Sequence, residues 1–192
     1  MKYVITGGAG NISKPLAEKL LRAGHDVTVI SRSAENVKSL TDKGAKTAIG
    51  SVEDVEFLKK AFAGADAVYT MVPPKYDVTD MKAHIGTVGK NYAEALKVNN
   101  IKYVVNLSSV GAHLPDGVGP VSGLYRVEQA LNELKNTNVK HLRPTYFFSN
   151  FLGNVGMVKN MNIIGGNFGG ADFKMLLADP NDIAEVAFEE LS

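Results

Sequence analysis

The sequence predicts an α/β fold: a doubly wound, mainly parallel sheet with helices on both faces and a small irregular region towards the C-terminus. Three observations predict it. Short runs rich in β-branched and aromatic residues alternate with longer amphipathic runs. Glycine or proline stands where one pattern gives way to the other, as at Gly44, Gly64 and Pro73-Pro74. The first run, residues 2–6 (KYVIT), turns through Gly7-Gly8-Ala9-Gly10 directly into a helical pattern. Alternating β and α elements with right-handed crossovers return each strand parallel to the last and cover both faces of the sheet.

The elements follow in order. Residues 2–6 form the first strand and residues 12–23 the first helix, with its apolar face repeating at helical spacing. Residues 25–31 are the second strand. Residues 34–43 are a helix that Gly44 ends, and residues 45–49 a short third strand. Residues 52–63 place Val55, Leu58 and Phe62 on one helical face before Gly64 stops them. Residues 66–72 are the fourth strand, halted by two prolines that cannot donate to a ladder. A long helix over 79–99 leads to the fifth strand, 102–108. A Gly/Pro-rich loop over 111–120 precedes a helix at 122–135 and a sixth strand at 139–143. Beyond it the pattern loosens. Residues 147–160 begin helically, 165–170 are flexible and 173–177 are a candidate strand. Residues 180–191 form a helix with proline in its first turn and Asn or Asp available to cap it.

At 192 residues the chain suits a single domain with a substantial core, residues 145–180 forming a substrate-pocket segment within it. Hydrophobic residues make up 45% and charged residues 21%, the balance of an ordinary globular protein. A net charge of +1 gives no global attraction to nucleic acid or an anionic membrane. No apolar run is long enough to span a bilayer, and a core strand starts at residue 2, where a signal peptide would carry its charged start. With no cysteine there is neither a disulfide nor a thiolate metal site, and no His/carboxylate spacing makes another metal site. Cytoplasmic residence is the expectation. An oligomer is compatible with all of this.

In a doubly wound sheet the ligand sits beyond the C-terminal strand ends, here residues 6–13, 31–33, 71–74, 108–113 and 144–148. The glycine turn is the most informative of these. Gly7 permits the sharp turn and Gly10 lets the backbone approach a pyrophosphate. The new helix then offers unpaired N–H groups and its positive dipole end. Thr6, Gly7, Gly8, Gly10, Asn11 and Ile12 are therefore candidate cofactor contacts, and Ser13 stands where the dinucleotide fingerprint has its third glycine. A site that prefers NAD(H) places an acid after the second strand. This chain has Ser31-Arg32-Ser33. The fixed fork of an arginine suits a 2′-phosphate and the serines add hydrogen bonds, so the cofactor is read as NADP(H) in preference to NAD(H).

The chain resembles the atypical short-chain dehydrogenase/reductases, and among them the NmrA-like branch with its NADPH-dependent quinone oxidoreductases. The resemblance rests on TGGAGNI at 6–12, ISRS at 30–33, VVNLSS at 104–109, VEQAL at 127–131 and LRPTYFFSN at 142–150. It implies a Rossmann domain in which residues 71–74, including Val72, Pro73 and Pro74, pass near the adenine side and the nicotinamide ribose. It also implies that Pro144 and the residues up to Phe147 lie near the nicotinamide and substrate, with Asn150 at the rim. Many relatives use a Tyr-x-x-x-Lys pair with an upstream serine. Here Ser108 or Ser109 and Tyr125 occupy the places of the serine and tyrosine, but Gln129 stands where the lysine belongs. A neutral amide does not stabilise a phenolate by Coulomb attraction, so Tyr125 is either a chemically used hydroxyl or a wall. His113, in the loop after the fifth strand, is the one histidine read as a candidate for proton transfer; His25, His84 and His141 are read as structural. Ser51 stands where relatives commonly carry an Asp for adenine, which leaves contact from residues 50–52 open. Tyr76, Phe147, Phe148 and Phe151 are pocket wall or core. Relatives continue past residue 192, so a more open pocket is expected.

Two functions of different class follow. One is hydride transfer from NADPH to a quinone-like or activated carbonyl acceptor, which needs little acid help. The other is a redox sensor that binds NADP(H) without turnover and acts through a protein partner. In either case Arg32→Asp is expected to weaken NADPH binding by about tenfold or more, because it sets a carboxylate against the 2′-phosphate. Titration calorimetry that finds NADPH affinity undiminished would overturn the NADP(H) reading.

Overall fold

The computed structural model of the chain describes residues 1–166, 172 and 174–192. Six parallel strands form the main sheet: β1 (Lys2–Ile5), β2 (Asp26–Ser31), β3 (Lys46–Ile49), β4 (Ala67–Thr70), β5 (Tyr103–Leu107) and β6 (Asn138–Leu142), in the order β3-β2-β1-β4-β5-β6. The chain thus winds outward from β1 to one edge and then from β4 to the other. The reversal falls between β1 and β4, which pair with Val4 opposite Val68, and a crevice opens there at the C-terminal strand ends.

The central strands β1 and β4 are buried on both sides because both faces of the sheet are covered, whereas the edge strands β3 and β6 carry polar, partly exposed residues. Tyr3, Ile5, Ala67, Tyr69 and Val105 face one core, with Leu16 and Leu20 of α1 (Ser13–Arg22). Ile183, Ala187 and Leu191 of the last helix (Pro180–Leu191) complete that face, and Tyr3 Oη donates to the Leu191 carbonyl at 2.9 Å. Val4, Val68 and Val104, one residue out of phase, face the other core. There they meet Leu58 and Phe62 of the third helical segment, α3 (Val55–Ala61 with its C-cap), Tyr92 and Leu96 of α4 (Met81–Val98), and Val127 and Leu131 of α5 (Val121–Asn132).

Local chemistry sets where the elements start. α3 begins at Val55, three residues later than its apolar pattern suggests, because the Asp54 carboxylate caps Glu56 N–H at 2.9 Å and Phe57 N–H at 3.0 Å. Asp80 caps Ala83 N–H in the same way and starts α4 at Met81. The helix expected over 34–43 is a 3-10 turn, Glu35–Val37, followed by the short α2 (Lys38–Thr41). Val37 and Leu40, three residues apart, are its buried anchors, and that spacing suits a tighter turn than the α-helix.

The C-terminal third departs most from expectation. Residues 148–154 are 3-10 helix, and α6 (Val155–Met161) follows. A second, two-stranded parallel sheet joins β7 (Tyr146–Phe147) to β8 (Leu177–Ala178). Neither strand is long enough to show alternation. The strand expected over 173–177 thus begins at Leu177, while Phe173 and residues 167–170 of the expected flexible stretch lie outside the described residues.

α4 and α5 pack closely because glycines remove side chains from their contact. A Cβ on Gly89 would lie 2.8 Å from the Val127 Cα, and one on Gly123 would lie 2.8 Å from Ile85. In Gly89→Ala the gain in helix propensity, about 1 kcal/mol, is expected to be outweighed by overpacking of about 1–3 kcal/mol against backbone that cannot rotate away. A thermal melt should show a Tm lowered by a few degrees; an unchanged or raised Tm would show that α5 yields.

Candidate functional site

The site is organised around Thr6. Its N–H donates to the Tyr69 carbonyl at 3.0 Å, and its hydroxyl accepts from Met71 N–H at 2.8 Å. Its carbonyl accepts from Ser13 Oγ at 2.8 Å. One buried residue thereby ties the ends of β1 and β4 to the first residue of α1. The backbone then turns through Gly7 and Gly8 at φ +90° and +59°, values that favour glycine. Space enforces the choice at Gly7, where a Cβ would lie 2.6 Å from Ser13 Oγ and 2.9 Å from Met71. Ser13 is therefore a working part of the turn. No side chain caps α1, and the N–H groups of Asn11, Ile12 and Ser13 have no acceptor among the described residues. They present the partial positive charge that draws an anion.

A cavity of about 440 Å³ opens over this turn. Gly8, Ser31 and Arg32 line one half with residues 50–53. Gly10, Asn11 and Ile12 line the middle, and Leu107, Phe147 and Asn150 the other half; His84 of α4 also lines the cavity, on the helix face of Asn91, which turns toward residues 52 and 53. Arg32 is exposed, and its guanidinium has no ion-pair or hydrogen-bond partner among the described residues. Ser31 Oγ is committed to the Ser33 carbonyl at 2.8 Å, so it shapes the turn that presents Arg32. Across the same half Lys75 Nζ meets both Glu53 carboxylate oxygens at 3.0 Å, and Asn91 Nδ2 donates to the Glu53 carbonyl at 2.9 Å.

Tyr69 also lines the cavity. Burial, with Tyr92 close by, pushes its phenol far above the usual range against a small opposing effect of Ser13, so it stays neutral. The Ser13 proton is committed to Thr6, and the Tyr69 hydroxyl is left without a hydrogen bond of full geometry. A dinucleotide fits this donor set: open helix N–H groups for its phosphates, a free guanidinium after β2, and an orphaned hydroxyl in the wall.

Several sequence-read candidates lie elsewhere. Thr6 is completely buried, and it, Ser33, Val72 and Pro144 do not line the cavity. Val72 packs into the core beneath α4, and the Pro144 carbonyl accepts from Val110 N–H at 2.9 Å. His113 is exposed in its loop, away from the cavity lining. Tyr125 lines a separate depression between α4 and α5, beside Thr87, Lys90 and Gln129. The rotation of α5 decides this: Ser122, Gly123, Val127 and Leu131 take the buried face and turn Tyr125 and Gln129 outward together. Of the four aromatics left open, Phe147 lines the cavity, Tyr76 and Phe148 are exposed, and Phe151 packs edge-on against Tyr146.

Ser108 does not line the cavity. Its hydroxyl donates at 2.5 Å to Oε1 of Glu128, which is 1% exposed. Arg143 holds the same carboxylate with Nε at 2.9 Å and a second guanidinium nitrogen at 2.5 Å. Burial by itself raises the Glu128 carboxyl. The hydrogen bonds from Arg143 and Ser108 outweigh it and hold the group below the usual carboxylate range. Alongside, Thr70 Oγ1 donates to Asn106 Oδ1 at 2.9 Å, leaving Asn106 Nδ2 facing His141 Nδ1 at 3.1 Å. His141 Nε2 lies 3.0 Å from Asn132 Oδ1. This pattern assigns the neutral tautomer protonated at Nε2. Burial lowers the His141 pKa in keeping, opposed by Glu128 and aided by Arg143. The two networks lock β4, β5, β6 and α5 together just where the chain leaves for Phe147 and Asn150.

A profile of the NAD(P)H-binding family matches residues 7–147. The chain belongs to that family. Over 98% of its length it is 24% identical to an NAD(P)H azoreductase of Xenophilus azovorans, covering 63% of that protein. Its fold superposes on an NADPH-dependent quinone oxidoreductase of Escherichia coli, crystallised with NADPH, at a TM-score of 0.84 and 18% identity, covering 99% of this chain and 64% of that one. It also superposes on the Citrobacter sp. triphenylmethane reductase complexed with NADP(H), at 0.77 and 20%, covering 98% and 64%. The chain thus spans just under two thirds of the length of these relatives. Among the described residues, no helix is long and apolar enough to cross a membrane and no cluster of ligands suits a metal ion.

Both Glu128 and His141 sit with pKa values below those of the unfolded chain. Their stabilisation is therefore complete above the ordinary His range and is lost as pH falls, first for His141 and then for Glu128. Glu128→Ala is expected to cost about 2–4 kcal/mol near neutrality, since it strands Ser108 and the inner side of Arg143. Its urea midpoint should approach that of the wild type as pH falls below the carboxylate range; a gap that persists there would assign the loss to packing.

Proposed function

We propose that this NAD(P)H-binding chain is an NADPH-dependent oxidoreductase acting on a quinone-like or otherwise activated carbonyl acceptor. The observation that carries the cofactor choice is Arg32: an unpartnered guanidinium, directly after β2, in the wall of the cavity. An Asp there would repel a 2′-phosphate, whereas the guanidinium offers it a bidentate fork. Asn11, Ile12 and Ser13 N–H groups would hold the pyrophosphate, and Gly7, Gly8 and Gly10 allow it to approach the backbone. When bound, NADPH supplies the hydride.

Leu107 and Phe147 give the far half of the cavity an apolar wall suited to a flat conjugated acceptor, and Asn150 brings an amide that can orient an oxygen. Tyr125 and Ser108 take no part in the chemistry. An acceptor whose reduced form is a stable aromatic needs no phenolate–lysine pair, which accords with Gln129 in the lysine's place. The azo, quinone and triphenylmethane reductases to which the chain is similar support this acceptor class.

The test is NADPH oxidation against a panel of quinones, azo dyes and simple ketones, with binding measured separately. Turnover with the conjugated acceptors and none with simple ketones is the expected result. Tight NADPH binding with no oxidation above buffer would overturn the oxidoreductase reading in favour of a non-catalytic sensor.

A further inference from the structure

We infer that Glu53 reads the base of the bound dinucleotide: its carboxylate accepts from the exocyclic amine of adenine. The inference rests on the NADP(H) reading of the cavity and on no step of turnover.

The loop that carries Glu53 is fixed beside the turn that carries Arg32. β2 and β3 pair Ser31 with Ile49, and Gly50 N–H donates to the Ser31 carbonyl at 2.9 Å. Residues 50–53 therefore line the cavity next to Ser31 and Arg32. A guanidinium that takes the 2′-phosphate puts the adenosine in this half, because that phosphate is carried on the adenosine ribose.

Adenine presents a donor and an acceptor side by side, the amine and N1, and the wall has to match both. Most acceptors of this half are engaged. Ser31 Oγ donates to the Ser33 carbonyl at 2.8 Å, and Ser51 Oγ accepts from Glu53 N–H at 3.2 Å. The Ser51 carbonyl accepts from Asp54 N–H at 3.1 Å, and Asn91 Nδ2 donates to the Val52 and Glu53 carbonyls at 3.3 and 2.9 Å.

The Glu53 carboxylate keeps capacity to spare. Lys75 Nζ meets its two oxygens at 3.0 Å, which occupies two of the roughly four lone-pair sites of such a group. The same contacts, with Asn91 on the backbone, hold the side chain in the wall. Val52, one residue earlier, lines the cavity with an N–H that has no acceptor among the described residues, and it supplies the donor for N1. His84 also has a ring nitrogen able to accept, but no hydrogen bond fixes that ring among the described residues. Hypoxanthine inverts both positions. Its C6 oxygen would face the Glu53 carboxylate, and its N1–H would face the Val52 N–H.

The probe is therefore reduced nicotinamide hypoxanthine dinucleotide phosphate, which differs from NADPH at the base alone. Calorimetry measures the binding of both to the wild type, Glu53→Gln and His84→Ala. The wild type should bind the hypoxanthine dinucleotide about tenfold or more weakly than NADPH, since both contacts are lost. In Glu53→Gln the ratio should fall to about threefold or less, because an amide accepts from the adenine amine and donates to the hypoxanthine oxygen. The Lys75 charge freed by this change cancels in the ratio, as the two dinucleotides carry the same phosphates. Glu53→Gln should still prefer NADPH to NADH, and His84→Ala should keep the wild-type ratio. Equal binding of the two dinucleotides by the wild type, a ratio unchanged in Glu53→Gln, or a ratio lost only in His84→Ala overturns the role of Glu53. A wild type that binds no NADPH overturns the cofactor reading and this inference together. One that binds and discriminates but oxidises no NADPH upholds this inference and overturns the oxidoreductase reading alone.

Discussion

The space that a side chain would need at Gly7 is filled by Ser13 and Met71, and the rest of the structure depends on that closeness. Because the turn has no Cβ, α1 starts hard against the end of β1 and its first N–H groups point into the crevice. Thr6 makes the arrangement rigid by spending its N–H, hydroxyl and carbonyl on β4, Met71 and Ser13. A third glycine would give close approach without the hydrogen bond. Serine gives both, at the cost of leaving the Tyr69 hydroxyl beside it without a good partner.

A second constraint acts at the far end of the crevice. A buried carboxylate is tolerable only when it is fully hydrogen-bonded. Glu128 meets that condition by drawing Arg143 down from the end of β6 and Ser108 across from β5. The same bonds fix the departure of the chain towards Phe147. A serine that resembles a catalytic residue in sequence is held in this fold by a buried carboxylate and does not line the cavity.

Legibility in the sequence followed the range of the interactions. The strands, the glycine turn, and Arg32 after β2 were all readable, because strand alternation, glycine conformation and the spacing along one βαβ unit are local matters. Helix starts were read two or three residues early where Asp54 and Asp80 hold the cap. β7 and β8 were unreadable as a pair, being two residues each and joined across some thirty residues of chain.

The half of the site built from consecutive elements was legible from the residues themselves, and Pro73, Pro74, Phe147 and Asn150 line the cavity where the resemblance put them. Gly8, Gly10, Asn11, Ile12 and Arg32 meet at the cavity as their spacing suggested, whereas Tyr125 and His113 were chosen by position and lie outside it. His84, read as structural, lines the cavity. The sequence by itself determined the sheet, the phosphate-ready turn and the charge that follows β2, since each follows from neighbours in the chain. Only the tertiary structure decided which face of α5 is buried, what Glu128 binds and which histidine reaches the cleft. Those depend on helix rotations set by packing, Gly89 against Val127 and Gly123 against Ile85, between residues that are far apart in sequence.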